Sequence, residues 1–147
     1  MPGKGIILLG LGPGRLDLLT VQAWRLLQDA QEIYLRTRQH PLVAELPPGL
    51  IVHSFDDFYD ESLTFEDVYE RIVARVIELG SRTQGVIYAV PGHPLIAEAT
   101  TPEIIRRANR LDIPVQVVEG LSFLEPTCTA LRLDPVQHTV LIDASSS

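Results

Sequence analysis

Short aliphatic runs alternate along this chain with longer amphipathic stretches, and this alternation limits the possible folds more than any other feature of the sequence. The runs that we interpret as buried strands lie at residues 6–9, 33–35, 50–53, 86–90 and 115–118. Strands separated by helices pair in parallel through right-handed crossovers. The sequence therefore predicts an α/β fold in which helices flank a mostly parallel sheet.

Two of the intervening stretches carry clear helix start signals. Thr20 and Thr64 are N-cap residues by type, and Asp67 follows Thr64 as in a capping box. Apolar residues then recur at helical spacing, and we expect them to face the core. They are Val21, Trp24, Leu27 and Ala30 in the first helix, and Phe65, Val68, Ile72, Val76 and Leu79 in the second, which Gly80 ends.

The remaining segments have weaker signals. Pro102 suits the first position of a helix that begins near Thr101, because proline lacks the N–H that would be unpaired there. Residues 121–131 can hold a short helix, and residues 56–60 are predicted to form an acidic loop. Residues 139–142 are a candidate sixth strand.

Charge and composition exclude several classes of partner. With 12 basic and 19 acidic residues the net charge is −7, so the chain lacks the positive charge that binding to nucleic acid requires. Cys128 is the single cysteine, which excludes an intrachain disulfide and a thiolate metal site, and we expect it to be buried. No apolar run approaches the roughly 20 residues of a membrane span, and no signal-peptide pattern is visible. We expect a cytoplasmic protein with no membrane partner.

Other polar residues lack the spacing of metal ligands, so no metal site is predicted. His40, His53 and His138 are expected at surface or capping positions. A run of acidic residues contains no Asp-x-Asp-x-Asp-Gly loop and is predicted to form a solvated face. It comprises Asp56, Asp57, Asp60, Glu61, Glu66, Asp67 and Glu70.

Three glycine-bearing turns follow the predicted strands at residues 10–14, 91–94 and 119–122. Ligands of open parallel sheets bind beyond the carboxyl ends of the strands, and glycine lets the backbone approach a ligand closely. Each turn taken singly is better explained as a purely structural turn between a strand and a helix. The three together indicate a shared ligand site, and we expect them to converge at one edge of the sheet.

A dinucleotide-binding fingerprint is the first alternative, and it fits poorly. Arg15 stands where the third glycine belongs, and the second strand runs into Arg36 rather than an acidic residue. An arginine there can suit the 2′-phosphate of NADP, so that alternative stays open. Arg36 and Arg38 are also candidates to meet an anionic substrate, or else lie in a solvated loop.

Three segments carry a family resemblance that covers nearly the whole chain. Residues 10–35 (GLGPGRLDLLTVQAWRLLQDAQEIYL), 88–100 (YAVPGHPLIAEAT) and 117–135 (VVEGLSFLEPTCTALRLDP) resemble, in order, the three signature segments of the tetrapyrrole (corrin/porphyrin) methylases. The Pro-Gly-His-Pro and Ser-Phe-Leu variants are most similar to the methylase-like domain found in front of MazG-type nucleoside triphosphate pyrophosphohydrolases.

The resemblance implies a three-layer α/β first domain with a five-stranded, mostly parallel sheet. It places that N-terminal domain at residues 1–137 and the start of a mostly absent second domain at residues 138–147. It implies a homodimer that binds S-adenosylmethionine in a cleft and methylates a small molecule such as a tetrapyrrole. The implied cofactor contacts are Pro13, Gly92, His93, Ile96, Ser122 and Phe123. No catalytic side chain is assigned, because positioning supplies most of the rate of methyl transfer.

Two positions depart from the family pattern. His93 stands where the family usually has aspartate, and Glu119 where it usually has proline. A histidine beside a cationic cofactor is less favourable than a carboxylate. Two hypotheses follow: an S-adenosylmethionine-dependent methyltransferase domain, or a non-catalytic ligand-binding or regulatory module of a nucleotide pyrophosphohydrolase fusion. A nucleotide-dependent oxidoreductase is the third and fits least well.

Overall fold

The protein forms a five-stranded parallel sheet with helices on both faces. The structure, a computed structural model, describes residues 5–137 and 139–143. The strands are β1 (Ile6–Gly10), β2 (Glu32–Leu35), β3 (Ile51–Ser54), β4 (Val86–Val90) and β5 (Val115–Val118), in the order β3-β2-β4-β1-β5. Every pairing is parallel. The predicted α/β fold is therefore confirmed.

The helices are α1 (Val21–Asp29), α2 (Asp56–Glu61), α3 (Phe65–Gly80), α4 (Thr100–Arg110) and α5 (Leu124–Leu131). Both predicted N-caps are present. The Thr20 hydroxyl accepts from the Ala23 N–H, and the Thr64 hydroxyl accepts from the Asp67 N–H, each at 3.1 Å. Each cap satisfies one of the N–H groups that a first helical turn leaves unpaired.

Alternation along β1 separates two hydrophobic layers. Ile6 and Leu8 face α3 and α4 and pack with residues such as Ile72, whereas Ile7 and Leu9 face α1. Successive side chains of a strand point to opposite faces, so both faces of this central strand must be covered. The strands β1 and β4 are buried along their whole length, as a three-layer arrangement requires.

Several local predictions are wrong. Residues 56–60 belong to helix α2 rather than to an acidic loop, because Phe55 and Phe58 stack on each other and anchor that turn to the core. Pro102 occupies the third position of α4 instead of the first. Contrary to expectation, the side chains of Val21 and Phe65 are 64% and 68% exposed and do not face the core.

The C-terminal region differs from expectation as well. The predicted strand at residues 139–142 is absent, and this segment is irregular with exposed apolar side chains at Val140 and Ile142. Cys128 is half-buried rather than buried, since α5 packs loosely and has no fully buried residue. Within the described residues, no helix has the length and apolar character needed to cross a bilayer.

Candidate functional site

The three glycine turns meet at the carboxyl edge of the sheet. Gly12 and Gly92 form an isolated bridge: the Gly12 N–H donates to the Gly92 carbonyl at 3.1 Å, and the Gly92 N–H donates to the Gly12 carbonyl at 2.9 Å. The third turn packs against both, so that a Cβ atom on Gly10 would lie 2.7 Å from the Gly120 nitrogen. The expected convergence is observed, and it depends on backbone contacts that side chains would block.

A cavity of about 370 Å³ opens beside these turns. Four of the six residues that the resemblance implies as cofactor contacts line it: Pro13, Gly92, Ile96 and Phe123. They come from the β1–α1 turn, the β4–α4 loop and the start of α5. The fold thus brings most of the sequence-predicted set to one concave surface.

The other two predicted contacts have side chains directed into their own loops. The Leu95 N–H donates to His93 Nδ1 at 3.0 Å, which closes the turn after Gly92. Ser122 is 1% exposed; its hydroxyl donates to the Glu125 carboxylate and accepts from the Leu124 N–H. Neither His93 nor Ser122 is among the residues that line the cavity.

His40 lines the cavity although the sequence suggested only a surface or capping role. It does cap the short 3-10 helix Pro41–Glu45, since its Nδ1 accepts from the Leu42 N–H at 3.2 Å. That contact assigns the proton to Nε2, which donates to the Gly12 carbonyl at 3.0 Å. Burial lowers the pKa of His40, so the neutral ring holds the first glycine turn.

A chain of hydrogen-bonded polar groups runs from the cavity wall, at Arg36 and Glu98, into the core. Arg36, directly after β2, donates from Nη1 to Glu98 Oε2 at 2.7 Å. The Thr100 hydroxyl donates to Glu98 Oε1 at 2.7 Å, and the Tyr88 hydroxyl lies 2.9 Å from Thr100 Oγ1. Because Thr100 has one hydroxyl proton and donates it to Glu98, Tyr88 is the donor to Thr100. Burial raises the pKa of Tyr88 well above its usual value, which keeps that donor protonated.

A second concave region of about 550 Å³ adjoins the first and shares part of its wall. Arg36, Glu98 and Phe123 line both regions, while Leu141 and Ile142 of the irregular C-terminal segment line only the second. Two molecules bound side by side would therefore meet near the Arg36–Glu98 pair.

The remaining polar groups described below form hydrogen bonds or ion pairs away from the cavity. No group of three or more His, Cys, Asp or Glu side chains in the described part of the chain is arranged to hold a metal ion. His53 pairs with Glu32 at the edge of the sheet, 3.2 Å away, and His138 lies outside the described residues. In the acidic run, Asp56 accepts from the Arg38 N–H and Glu70 pairs with Arg107 on α4.

Comparison with known proteins agrees with this architecture. A family model described as Tetrapyrrole (Corrin/Porphyrin) Methylases matches residues 5–145. The chain belongs to the tetrapyrrole methylase family. The chain is 40% identical over 147 residues to the uncharacterized protein YabN of Bacillus subtilis (strain 168), matching 99% of the chain and 30% of YabN. It therefore spans less than a third of that relative.

Solved structures of tetrapyrrole methylases have the same fold. A uroporphyrin-III-C-methyltransferase from Thermus thermophilus superposes with a TM-score of 0.65 and 28% identity, over 89% of this chain and 54% of that one. A structure of the Thermus thermophilus uroporphyrin-III C-methyltransferase complexed with S-adenosyl homocysteine gives a TM-score of 0.57 and 23% identity, over 84% and 51%. The chain spans about half of these methylases.

Proposed function

We propose that this chain is the S-adenosylmethionine-binding domain of a methyltransferase that acts on a tetrapyrrole or a similar small molecule. The main support is that three backbone turns meet beside one cavity, in a chain that belongs to the tetrapyrrole methylase family. The complex of a Thermus thermophilus relative with S-adenosyl homocysteine supports the choice of cofactor.

The residues of the first cavity fit that cofactor. Its volume of about 370 Å³ falls within the roughly 300–1,000 Å³ that is typical of ligand pockets. Pro13, Ile96 and Phe123 offer an apolar wall suited to a flat base, and Gly92 lets the backbone approach closely. In this proposal His93 and Ser122 act through the turns that their side chains hold.

S-adenosylmethionine, when bound, supplies a methyl group attached to a positively charged sulfur. That sulfur is a good leaving group because it departs as a neutral thioether. This chain would contribute orientation, because the glycine turns are fixed to one another and by the His40 hydrogen bond to Gly12. The apolar wall would exclude water from the transferred group.

The second candidate is a non-catalytic ligand-binding or regulatory module fused to a nucleotide pyrophosphohydrolase. One observation favours it: His93 replaces the family's usual aspartate and accepts a hydrogen bond from its own loop. At position 93 the loop therefore offers no carboxylate to a cationic sulfur. Cofactor binding without methyl transfer is the result that this candidate expects.

The test is calorimetric titration of the full-length protein with S-adenosyl homocysteine. Wild type is expected to bind, and Gly92→Val to bind at least about tenfold more weakly, because the side chain enters the wall that the ligand approaches. Gly49→Val is the matched control, since Gly49 also has positive φ but lies in open space. No binding by wild type would contradict the proposal.

A transfer assay then separates the two candidates. Wild-type protein, labelled S-adenosylmethionine and uroporphyrinogen III are incubated, and label in the tetrapyrrole is counted. Label above a no-protein control supports the methyltransferase, whereas binding without transfer supports the regulatory module.

A further inference from the structure

Arg36 lies at the boundary of the two cavities and lines both. Its backbone N–H donates to the Ala89 carbonyl at 2.9 Å, which fixes the residue at the carboxyl edge of the sheet. Its guanidinium donates to Glu98, and a quarter of the side chain remains exposed. A positively charged group of fixed position therefore faces the space where two ligands would meet.

The Arg36–Glu98 pair is poorly explained by stability alone. The Glu98 side chain is 3% exposed, and the desolvation of a buried ion pair offsets most of its attraction. Arg36 Nε is buried, and no described residue accepts a hydrogen bond from it, which is a further cost. Ala97, just before Glu98, has φ of 55°, an unfavourable conformation for a residue with a Cβ atom. These costs indicate a role in binding.

Both carboxylate oxygens of Glu98 have protein partners, whereas most N–H groups of the Arg36 guanidinium have none among the described residues. Glu98 Oε2 accepts from Arg36, and Oε1 accepts from the Thr100 hydroxyl. Among the described residues, Glu98 is the one acceptor for the five N–H donors of the Arg36 guanidinium. The carboxylate thus orients the guanidinium and leaves Nη donors for a ligand. A guanidinium matches the paired oxygens of carboxylates and phosphates.

Arg38, two residues along the same loop, is placed differently. Its Nη2 donates to the Val52 carbonyl at 2.6 Å on the edge strand β3, and it lines neither cavity. The structure therefore separates two arginines that the sequence leaves equivalent.

We propose that Arg36, positioned by Glu98, binds an anionic group, a carboxylate or a phosphate, of the methyl acceptor in the second cavity. The inference rests on the proposed function, because it takes the first cavity as the cofactor site. The amino-acid carboxylate of the cofactor is the other source of such a group. The experiment distinguishes the two sources.

The experiment compares Arg36→Met with Arg38→Met in the full-length protein. The acceptor probe is uroporphyrin III, a tetrapyrrole carrying carboxylates, titrated by fluorescence with S-adenosyl homocysteine at saturation. Arg36→Met is expected to weaken uroporphyrin binding at least about tenfold, the loss typical of a charge-assisted hydrogen bond. The affinity of Arg36→Met for S-adenosyl homocysteine should change by less than about twofold. Arg38→Met should change the affinity for either ligand by less than about twofold.

Loss of Arg36 leaves the Glu98 carboxylate buried and unpaired, so Arg36→Met can fail to fold. Arg36→Met/Glu98→Gln removes both charges and keeps the measurement possible. Glu98→Gln alone should weaken uroporphyrin binding, yet add no loss on the Arg36→Met background, because Glu98 acts through Arg36. Additive losses would contradict that positioning role.

Three results would overturn the inference while leaving the proposed function intact. They are equal uroporphyrin binding by both arginine variants, no uroporphyrin binding by a wild type that binds S-adenosyl homocysteine, and a parallel loss of both ligands in Arg36→Met. The last would assign Arg36 to the cofactor's carboxylate. Absence of S-adenosyl homocysteine binding in wild type would instead contradict the proposed function.

Discussion

A Cβ atom on Gly120 would lie 2.3 Å from the carbonyl oxygen of Gly92. The neighbour is backbone and is held by the Gly12 bridge, so it has little freedom to move. Gly120→Ala is therefore expected to destabilise the fold by roughly 1–3 kcal/mol, the usual cost of overpacking. Urea denaturation measures the loss. Gly49→Ala meets nothing within 4 Å and adds only the strain of its positive φ. A loss near zero in Gly120→Ala would show that the contact at Gly120 relaxes freely.

His40 should make stability depend on pH. Burial lowers its pKa in the folded protein below the ordinary 6.5, so the unfolded chain binds a proton more readily. The stabilisation is fully present above about pH 6.5 and is lost as the pH falls through that value toward the lower folded pKa. Denaturation curves of wild type and His40→Asn, measured above and below about pH 6.5, should show that the free energy of unfolding changes less with pH in the variant. The same pH dependence in wild type and in the variant would exclude His40 as its cause.

The Thr100 hydroxyl links Tyr88 to Glu98, so its removal should destabilise the fold more than removal of the Tyr88 hydroxyl. Thr100→Val leaves the Tyr88 hydroxyl and one Glu98 oxygen buried without this partner, and should cost about 2–4 kcal/mol. Tyr88→Phe should cost about 1 kcal/mol, since Thr100 keeps Glu98. In the double variant the losses should be less than additive. Additive losses would mean that the three groups do not form one network.

Phe123 should contribute to binding and little to stability. It is 52% exposed and lines both cavities. On the proposed function, Phe123→Ala should weaken S-adenosyl homocysteine binding about tenfold through lost stacking, with a melting temperature within about 2 °C of wild type. Leu131→Ala, at the far end of α5 and 65% exposed, is the control and should change neither. Unchanged affinity in Phe123→Ala would show that the ligand does not contact the start of α5.

The strands and the two threonine caps could be predicted from sequence because their causes are local. Aliphatic runs such as residues 86–90 are buried on both faces, and Thr20 and Thr64 satisfy N–H groups three residues away. Helix α2 could not be predicted in this way. A six-residue helix has too few turns for periodicity to show, and its stability comes from aromatic contacts made by Phe55 and Phe58 with the rest of the fold.

The position of the cavity could be predicted from the glycine turns, but the hydrogen-bonded pair in its polar wall could not. Parallel strands bring their carboxyl ends to one edge, and this rule alone places Pro13 and Gly92 together. Arg36 and Glu98 are 62 residues apart, and nothing in either local sequence marks the other as its partner. The directions of His93 and Ser122 depend on hydrogen bonds inside their own turns, which the resemblance does not specify.

The sheet order places β1 between β4 and β5, so the wall of the first cavity joins segments that are far apart along the chain. Such nonlocal contacts slow folding, since long loops must close before the contacts become favourable. No proteolytic fragment containing only one or two of these strands would present the same surface. Amide exchange at Gly12 and Gly92 should therefore require opening of the whole sheet, and a ligand bound there would raise the melting temperature in proportion to the logarithm of its concentration.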